Sequence, residues 1–220
     1  DDILLAGAGN DGADGGDGAD LLDGGEGDDH LQGSAGNDVL IDGLGADEVE
    51  GGAGADRIIP THDNEVDRFD GGEGQDSLDY SSATVGVFVD FEAGLAAVEG
   101  RISDFIDGVE TVQGGTGADR LTGDGAAETL NGGEGDDTLE GKAGNDHLLG
   151  GSGDDVISDG SGADIVEGGD GDDRIIAAAD GDDDHYAGGE GCDTIDYSQT
   201  CDGVTVNLVE GKAHGEEIGN

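Results

Sequence analysis

The sequence predicts an all-β fold, a solenoid of short strands wound in two tandem modules, and three observations predict it. A nine-residue unit recurs along nearly the whole chain, as in Gly15-Gly16-Asp17-Gly18-Ala19-Asp20-Leu21-Leu22-Asp23 and, without a gap, Gly24-Gly25-Glu26-Gly27-Asp28-Asp29-His30-Leu31-Gln32. Glycine recurs at unit positions 1, 2 and 4, aspartate at 6 and a large apolar residue at 8. Each unit thus offers a tight turn, in which the three glycines allow positive φ, and one inward side chain. A larger pattern also repeats: Gly15 corresponds to Gly132, Pro60 to Ala177, Gly71 to Gly188 and Tyr80 to Tyr197, each pair 117 residues apart.

In the first block the position-6 residues are Asp11, Asp20, Asp29, Asp38, Asp47, Asp56 and Asp76, and the inward row is Ala13, Leu22, Leu31, Leu40, Val49, Ile58 and Leu78. Residues 60–70 make a unit of eleven residues in place of nine, yet Asp67 and Phe69 keep positions 6 and 8, so two residues are inserted in the turn. The second block has Asp119, Glu128, Asp137, Asp146, Asp155, Asp164, Asp173, Asp184 and Asp193 at position 6. Its inward row is Leu121, Leu130, Leu139, Leu148, Ile157, Val166, Ile175, Tyr186 and Ile195, and residues 177–187 form its eleven-residue unit. Between the blocks lies Val85-Gly86-Val87-Phe88-Val89-Asp90-Phe91, whose counterpart is Gly203-Val204-Thr205-Val206-Asn207-Leu208. Alternation in residues 204–208 predicts a half-buried strand. Residues 80–113 read as a β segment that ends one block and seats the next, with residues 106–112 as its last strand. The modules are therefore 1–113 and 114–220, with linkers beginning near residues 80 and 197.

Two units make one turn, so each strand needs about three residues and equivalent loops stack at the strand spacing of about 4.8 Å. Stacked loops bring rows of aspartates to that spacing, where they repel unless a divalent cation separates them. Ca²⁺ suits such a gap, because it takes six to eight oxygens in flexible geometry, backbone carbonyls included. The unit Gly-Gly-x-Gly-x-Asp-x-apolar-x, in register over roughly two thirds of the residues, resembles the RTX (repeats-in-toxin) calcium-binding repeat. The resemblance implies a calcium-stabilised parallel β-roll, a right-handed solenoid, in which each ion takes position-6 carboxylates from two loops and carbonyls of the glycine turn. The metal ligands are then Asp11, Asp20, Asp29, Asp38, Asp47, Asp56, Asp67, Asp76, Asp119, Asp137, Asp146, Asp155, Asp164, Asp173, Asp184 and Asp193. The turn glycines are Gly16, Gly18, Gly25, Gly27, Gly52, Gly54, Gly72, Gly74, Gly115, Gly117, Gly133, Gly135, Gly151, Gly153, Gly169, Gly171, Gly189 and Gly191. On the order of ten Ca²⁺ ions would be held. Gly33-Ser34, Asp42-Gly43, Gly141-Lys142 and Asp159-Gly160 lack one glycine of the pair, and the unit beginning at Gly123 lacks the position-4 glycine and has Glu128 in place of the aspartate.

The 220 residues carry 56 acidic and 7 basic side chains, a formal charge of −49, with 49 glycines. Such a chain has too few apolar residues to offset its ordering entropy, so a bound cation must stabilise the fold. Asp180, Asp182 and Asp184 imitate an EF-hand start, but His185 and Gly191 stand where that loop needs Gly and Glu. His30, His62, His147, His185 and His214 form no zinc spacing, and no Gly-x-Ser-x-Gly is present. Arg57, Arg68, Arg101, Arg120, Lys142, Arg174 and Lys212 are scattered, which disfavours nucleic acid as a partner. No apolar run is long enough for membrane insertion as a helix. Cys192 and Cys201 are the two cysteines, expected to form a disulfide, with two free thiols as the alternative.

Asp2 and Leu4 already hold positions 6 and 8, so the chain reads as a piece of a longer protein. The RTX resemblance implies type I export as an unfolded chain and folding on external calcium, hence a secreted or cell-surface location. The expected role is non-catalytic: a spacer, adhesin or surface-assembly module whose partners are Ca²⁺ and neighbouring modules of the same parent chain. The alternatives are an accessory tail of an exported protease, lipase or alginate epimerase, holding polysaccharide, and the receptor-side repeats of a toxin.

Overall fold

A computed structural model describes residues 1–98, 104–178 and 180–198. The chain divides into two compact units, residues 1–83 with 87–113, and residues 84–86 with 114–220. Unit 1 contains β1 (Ile3–Ala8), β2 (Gly12–Asp17), β3 (Leu21–Glu26), β4 (His30–Ala35), β5 (Val39–Ile41), β6 (Glu48–Gly54), β7 (Arg57–Ile59), β8 (Arg68–Gly74), β9 (Ser77–Asp79), β10 (Val87–Asp90), β11 (Leu95–Val98), β12 (Asp104–Asp107) and β13 (Thr111–Gln113). Unit 2 contains β14 (Arg120–Thr122), β15 (Thr129–Glu134), β16 (Thr138–Glu140), β17 (His147–Ser152), β18 (Val156–Ser158), β19 (Ile165–Asp170), β20 (Arg174–Ile176), β21 (His185–Glu190) and β22 (Thr194–Asp196). No helix occurs among the described residues.

Alternate strands enter alternate sheets, the signature of a parallel solenoid with two repeats per turn. In unit 1 the orders are β1-β3-β5-β7-β9-β13 and β2-β4-β6-β8-β12-β11-β10. In unit 2 they are β15-β17-β19-β21 and β14-β16-β18-β20-β22. Register follows the sequence repeat: Leu22 pairs with Leu40, Leu31 with Val49, Leu148 with Val166 and Ile157 with Ile175. Position 8 of both sheets faces the narrow core, and Leu22, Leu31, Leu40, Ile58, Leu130, Leu148, Ile157 and Ile175 are all fully buried. One apolar side chain per nine residues is enough only because each stacks on its equivalent one turn away.

Two expectations change. Ten strands run to six or seven residues instead of three, because the ladder continues into positions 1 to 3 of the turn. Most three-residue strands precede a position 1–2 pair other than Gly-Gly, such as Asp42-Gly43, Gly123-Asp124 or Asp159-Gly160. Residues 106–112, read as one strand, are two: β12 pairs in parallel with β8 and β13 with β9, in opposite sheets, with a turn through Gly108 at φ 60°. Here the roll itself resumes, Ile106 and Val112 taking the inward positions. The β segment proper is antiparallel, β10 against β11 and β11 against β12. The strand expected over residues 204–208 and its turn lie outside the described residues.

Candidate metal centre

At most turns the position-6 carboxylate does two separate things with its two oxygens; Asp119 and Asp184 differ, their Oδ2 accepting from Gly115 N (2.8 Å) and the Tyr186 hydroxyl (3.0 Å). One oxygen accepts a hydrogen bond from the backbone amide of the position-6 residue one turn earlier: Asp20 N donates to Asp38 Oδ1 (2.7 Å), Asp29 N to Asp47 Oδ1 (2.7 Å) and Asp38 N to Asp56 Oδ1 (2.8 Å). In unit 2, Asp137 N donates to Asp155 Oδ1 and Asp146 N to Asp164 Oδ1, both at 2.8 Å. The aspartate row is therefore a ladder of side-chain caps, each satisfying an amide that would otherwise be buried without a partner. Across the inserted turn the ladder holds, from Asp47 N to Asp67 Oδ1 at 2.8 Å.

The second oxygen has no hydrogen-bond partner although it is buried: Oδ2 of Asp11, Asp20, Asp29, Asp38, Asp47, Asp56, Asp76, Asp137, Asp146, Asp155, Asp164 and Asp173. What surrounds it is carbonyl oxygen. A Cβ placed on Gly15 would lie 2.7 Å from Asp20 Oδ2 and 2.9 Å from Gly33 O, and one on Gly33 would lie 2.5 Å from both Asp38 Oδ2 and Gly51 O. Position 1 is thus glycine for room, not for conformation, since neither residue has positive φ. That corrects the expectation for position 1. Positions 2 and 4 do need the left-handed region, as Gly151 (φ 114°) and Gly153 (φ 135°) show. Ser34 and Lys142 enter it as non-glycine residues, at φ 79° and 76°.

Buried acceptors facing acceptors demand a proton or a cation. Burial, the largest influence, pushes Asp47, Asp56, Asp155 and Asp164 up to about 6 and Asp67 and Asp137 up to about 7; the bonded amide opposes the rise and neighbouring carboxylates add to it. An oxygen-only donor set of carboxylates and carbonyls fits a hard cation of the calcium type and offers nothing to a softer metal.

Of the residues singled out in the sequence, Asp20 to Asp76 and Asp119 to Asp173 at position 6 are buried, while Asp11, Asp184 and Asp193 are half-buried. The turn glycines stack their carbonyls rung on rung: a Cβ on Gly27 would meet Gly9 O at 2.5 Å, and those on Gly25, Gly52, Gly54, Gly72, Gly74, Gly133, Gly135, Gly169, Gly171, Gly189 and Gly191 would meet the equivalent carbonyl more closely still. Gly117 departs from this: its φ is not left-handed, and its Cβ would meet Val85 and Gly86. Glu128 fits where aspartate stands elsewhere, with Oε2 unpartnered and 2.6 Å from a Cβ on Gly123. Burial, then the Asp124 side chain, pushes it up to about 8.

Four carboxylates have site positions that the repeat alone did not assign. Asp104 Oδ1 accepts from Asp67 N (3.1 Å) and Glu110 Oε2 from Asp76 N (2.8 Å), so both continue the ladder beyond the glycine turns. The signal was present as Asp104-x-Ile106 and Glu110-x-Val112, the position 6–8 pattern with only one of the three turn glycines before it, Gly100 and Gly108 respectively. Asp42 and Asp159, at position 1, are fully buried. The basic residues pair with carboxylates outside the position-6 row: Arg57 on the buried Asp79, Arg68 near Asp70 (3.7 Å), Arg120 near Glu140 (3.7 Å), Lys142 on Glu140 (2.8 Å) and Arg174 on Asp196. Arg101, Lys212, His214 and Cys201 lie outside the described residues; Cys192 is exposed, its amide on Asp172 Oδ1 at 2.9 Å.

A family model described as the RTX calcium-binding nonapeptide repeat, in four copies, matches residues 1–31, 23–58, 106–139, 140–175 and 160–195. No curated protein matches the chain.

Proposed function

With more than half of its residues under those matches, the chain belongs to the RTX calcium-binding nonapeptide-repeat family, and from that premise we propose a non-catalytic structural module that folds on calcium within a large secreted or cell-surface bacterial protein. The observation that carries this reading is the buried, unpartnered oxygen of Asp20, Asp38, Asp56, Asp137, Asp155 and their equivalents, each set among glycine-turn carbonyls. The position-6 carboxylates of both blocks, with Glu128, would hold Ca²⁺ together with carbonyls of the turns; when bound, the ion supplies the positive charge that lets stacked carboxylates stay ionised. We assign two such modules, 1–113 and 114–220, to a spacer or surface-assembly role, because the ladder commits its carboxylates to joining each turn to the next. External calcium would complete the fold after export.

Circular dichroism during titration from EGTA into millimolar Ca²⁺ tests this. The expected result is a cooperative gain of β signal that Mg²⁺ at the same concentration does not reproduce, since Mg²⁺ keeps its waters and demands octahedral geometry. A β-rich spectrum already present in EGTA at about pH 8, or equal folding by both ions, would overturn it.

A further inference from the structure

With position 8 in the core, positions 7 and 9 of each unit face outward, and on one sheet of unit 1 they include Asp14, His30, Glu48, Glu50, Arg68 and Asp70. The other sheet of unit 1 is different. Register stacks Ile3 on Leu21 and Leu21 on Val39 at position 7, and Ile41 on Ile59 at position 9, where Leu5 and Asp23 continue the column. The result is an aliphatic stripe two columns wide that crosses β1, β3, β5 and β7. Ile3 is 73 % and Leu5 68 % exposed, and Leu21, Val39, Ile41 and Ile59 are half-buried. Leu44, 47 % exposed, extends the patch through its bridge to Glu26 at the end of β3. Thr138 and Ser158 stand 117 residues after Leu21 and Ile41, so unit 2 does not repeat the stripe.

The stripe is set in negative charge. Asp23 lies within it and the exposed Glu26 ends the same strand; neither belongs to the position-6 row, so calcium at the turns leaves both charges in place. A groove of about 410 Å³ runs beside it, lined by Ile3, Leu21 and Val39 together with Asp1, Asp2 and Asn37. Arg57, the basic residue of this face, is already bonded to Asp79. An apolar surface with a carboxylate rim is complementary to an apolar surface with a basic rim. The strand amides and carbonyls are used in the ladders, so an occupant of the face must satisfy its own backbone, as a helix does. Four strands at about 4.8 Å span about 15–20 Å, which a helix of about three turns matches. A second copy of the chain fits worse: it brings the same negative charge, and a two-column stripe is far smaller than the ~800 Å² per partner of a stable interface.

We propose that the outward face of β1, β3, β5 and β7 is a docking surface for a cationic amphipathic helix of a partner protein, aliphatic where it meets Leu21, Val39, Ile41 and Ile59 and basic at its flanks. The module then has one adhesive side, which a spacer alone does not need.

Fluorescence anisotropy of a dye-tagged amphipathic Leu/Lys peptide of about four helical turns, added to the calcium-saturated full chain at about 0.15 M salt, tests it. One peptide should bind per chain. Val39→Thr with Ile41→Thr keeps β-branched side chains suited to a strand while trading apolar surface for hydroxyls, and should weaken binding at least tenfold. Ile165→Thr, at an outward position of unit 2 that is 43 % exposed, should leave it unchanged. A peptide with glutamine for each leucine should bind at least tenfold more weakly, and Asp23→Asn should weaken binding severalfold, less so at high salt. Equal binding of the two peptides, or a double variant that keeps its calcium-induced β signal and binds as before, would overturn the proposal. If the double variant loses that signal, the glutamine peptide and Asp23→Asn decide in its place, and unchanged binding in both overturns it. Self-association of the chain in sedimentation, abolished by Ile41→Thr, would give the face to a second copy and overturn it too.

Discussion

A methyl group can be used to probe the space at a single turn. Ala at position 33 is allowed by the backbone, yet its Cβ would lie 2.5 Å from both Asp38 Oδ2 and Gly51 O. Gly12 meets nothing within 4 Å and also lacks positive φ. Gly33→Ala should therefore lose calcium from its turn and raise the calcium concentration at the folding midpoint severalfold, whereas Gly12→Ala should be neutral or stabilise by up to about 1 kcal/mol through the unfolded chain. Matched calcium titrations by circular dichroism would expose the error if the two behaved alike. Asp38 separates the two roles of the carboxylate. Asp38→Asn keeps the acceptor for Asp20 N and loses the charge; Asp38→Ala loses both and leaves a buried amide unsatisfied, at about 1–3 kcal/mol. Both variants should bind fewer ions by calorimetry, and Asp38→Ala alone should also melt earlier at saturating calcium. Equal melting of the two would remove the capping role.

At the scale of the strand, the inward row was legible because a single apolar position recurs in every unit of each block, from Leu22 to Leu78 and from Leu121 to Ile175, and that period dictates two facing sheets. The same regularity concealed two things. Glycine at position 1 looks like its neighbours at 2 and 4, and only the stacking of Gly33 O over Asp20 Oδ2 reveals that its role is spatial. Asp104, Glu110 and Asp42 acquire their roles from which loop lies over which, a relation set by tertiary register and not by local sequence. Residues 104–107 show the consequence: Ile106 faces the core while Phe105, beside it in β12, is half exposed. Ile106→Ala should thus cost about 2–5 kcal/mol and Phe105→Ala under about 1 kcal/mol. Denaturant unfolding at saturating calcium, with the larger loss at Phe105, would show that the roll does not resume there.

Across the whole molecule, the formal charge of −49 makes acid and calcium alternative means to one end. The buried carboxyls of Asp47, Asp56, Asp137, Asp155 and Asp164 are raised from 3.8 to about 6 or 7, burial being the chief cause. A fold that raises an acid's pKa favours its protonated form. Without metal, each such group leaves the fold unpenalised below about pH 3.8 and weakens it progressively as pH climbs through 6 to 7, where the unfolded chain has long since ionised. In EGTA, β structure should therefore appear on acidification from pH 8 towards about 4.5. With calcium the slope reverses, because the ligands must lose their protons to bind, and the fold should lose its ions as pH falls through the same interval. Calcium should then stabilise strongly at pH 8 and little at about pH 4.5. Because lowered net repulsion alone would also favour compaction, the discriminating measurement is proton release on calcium binding. Titration in two buffers of different ionisation enthalpy should give protons released at about pH 5, where the acid-folded chain holds these carboxyls protonated, and almost none at pH 8. Equal release at both values would mean that the buried carboxyls titrate normally, and that burial does not set the pH at which this chain folds.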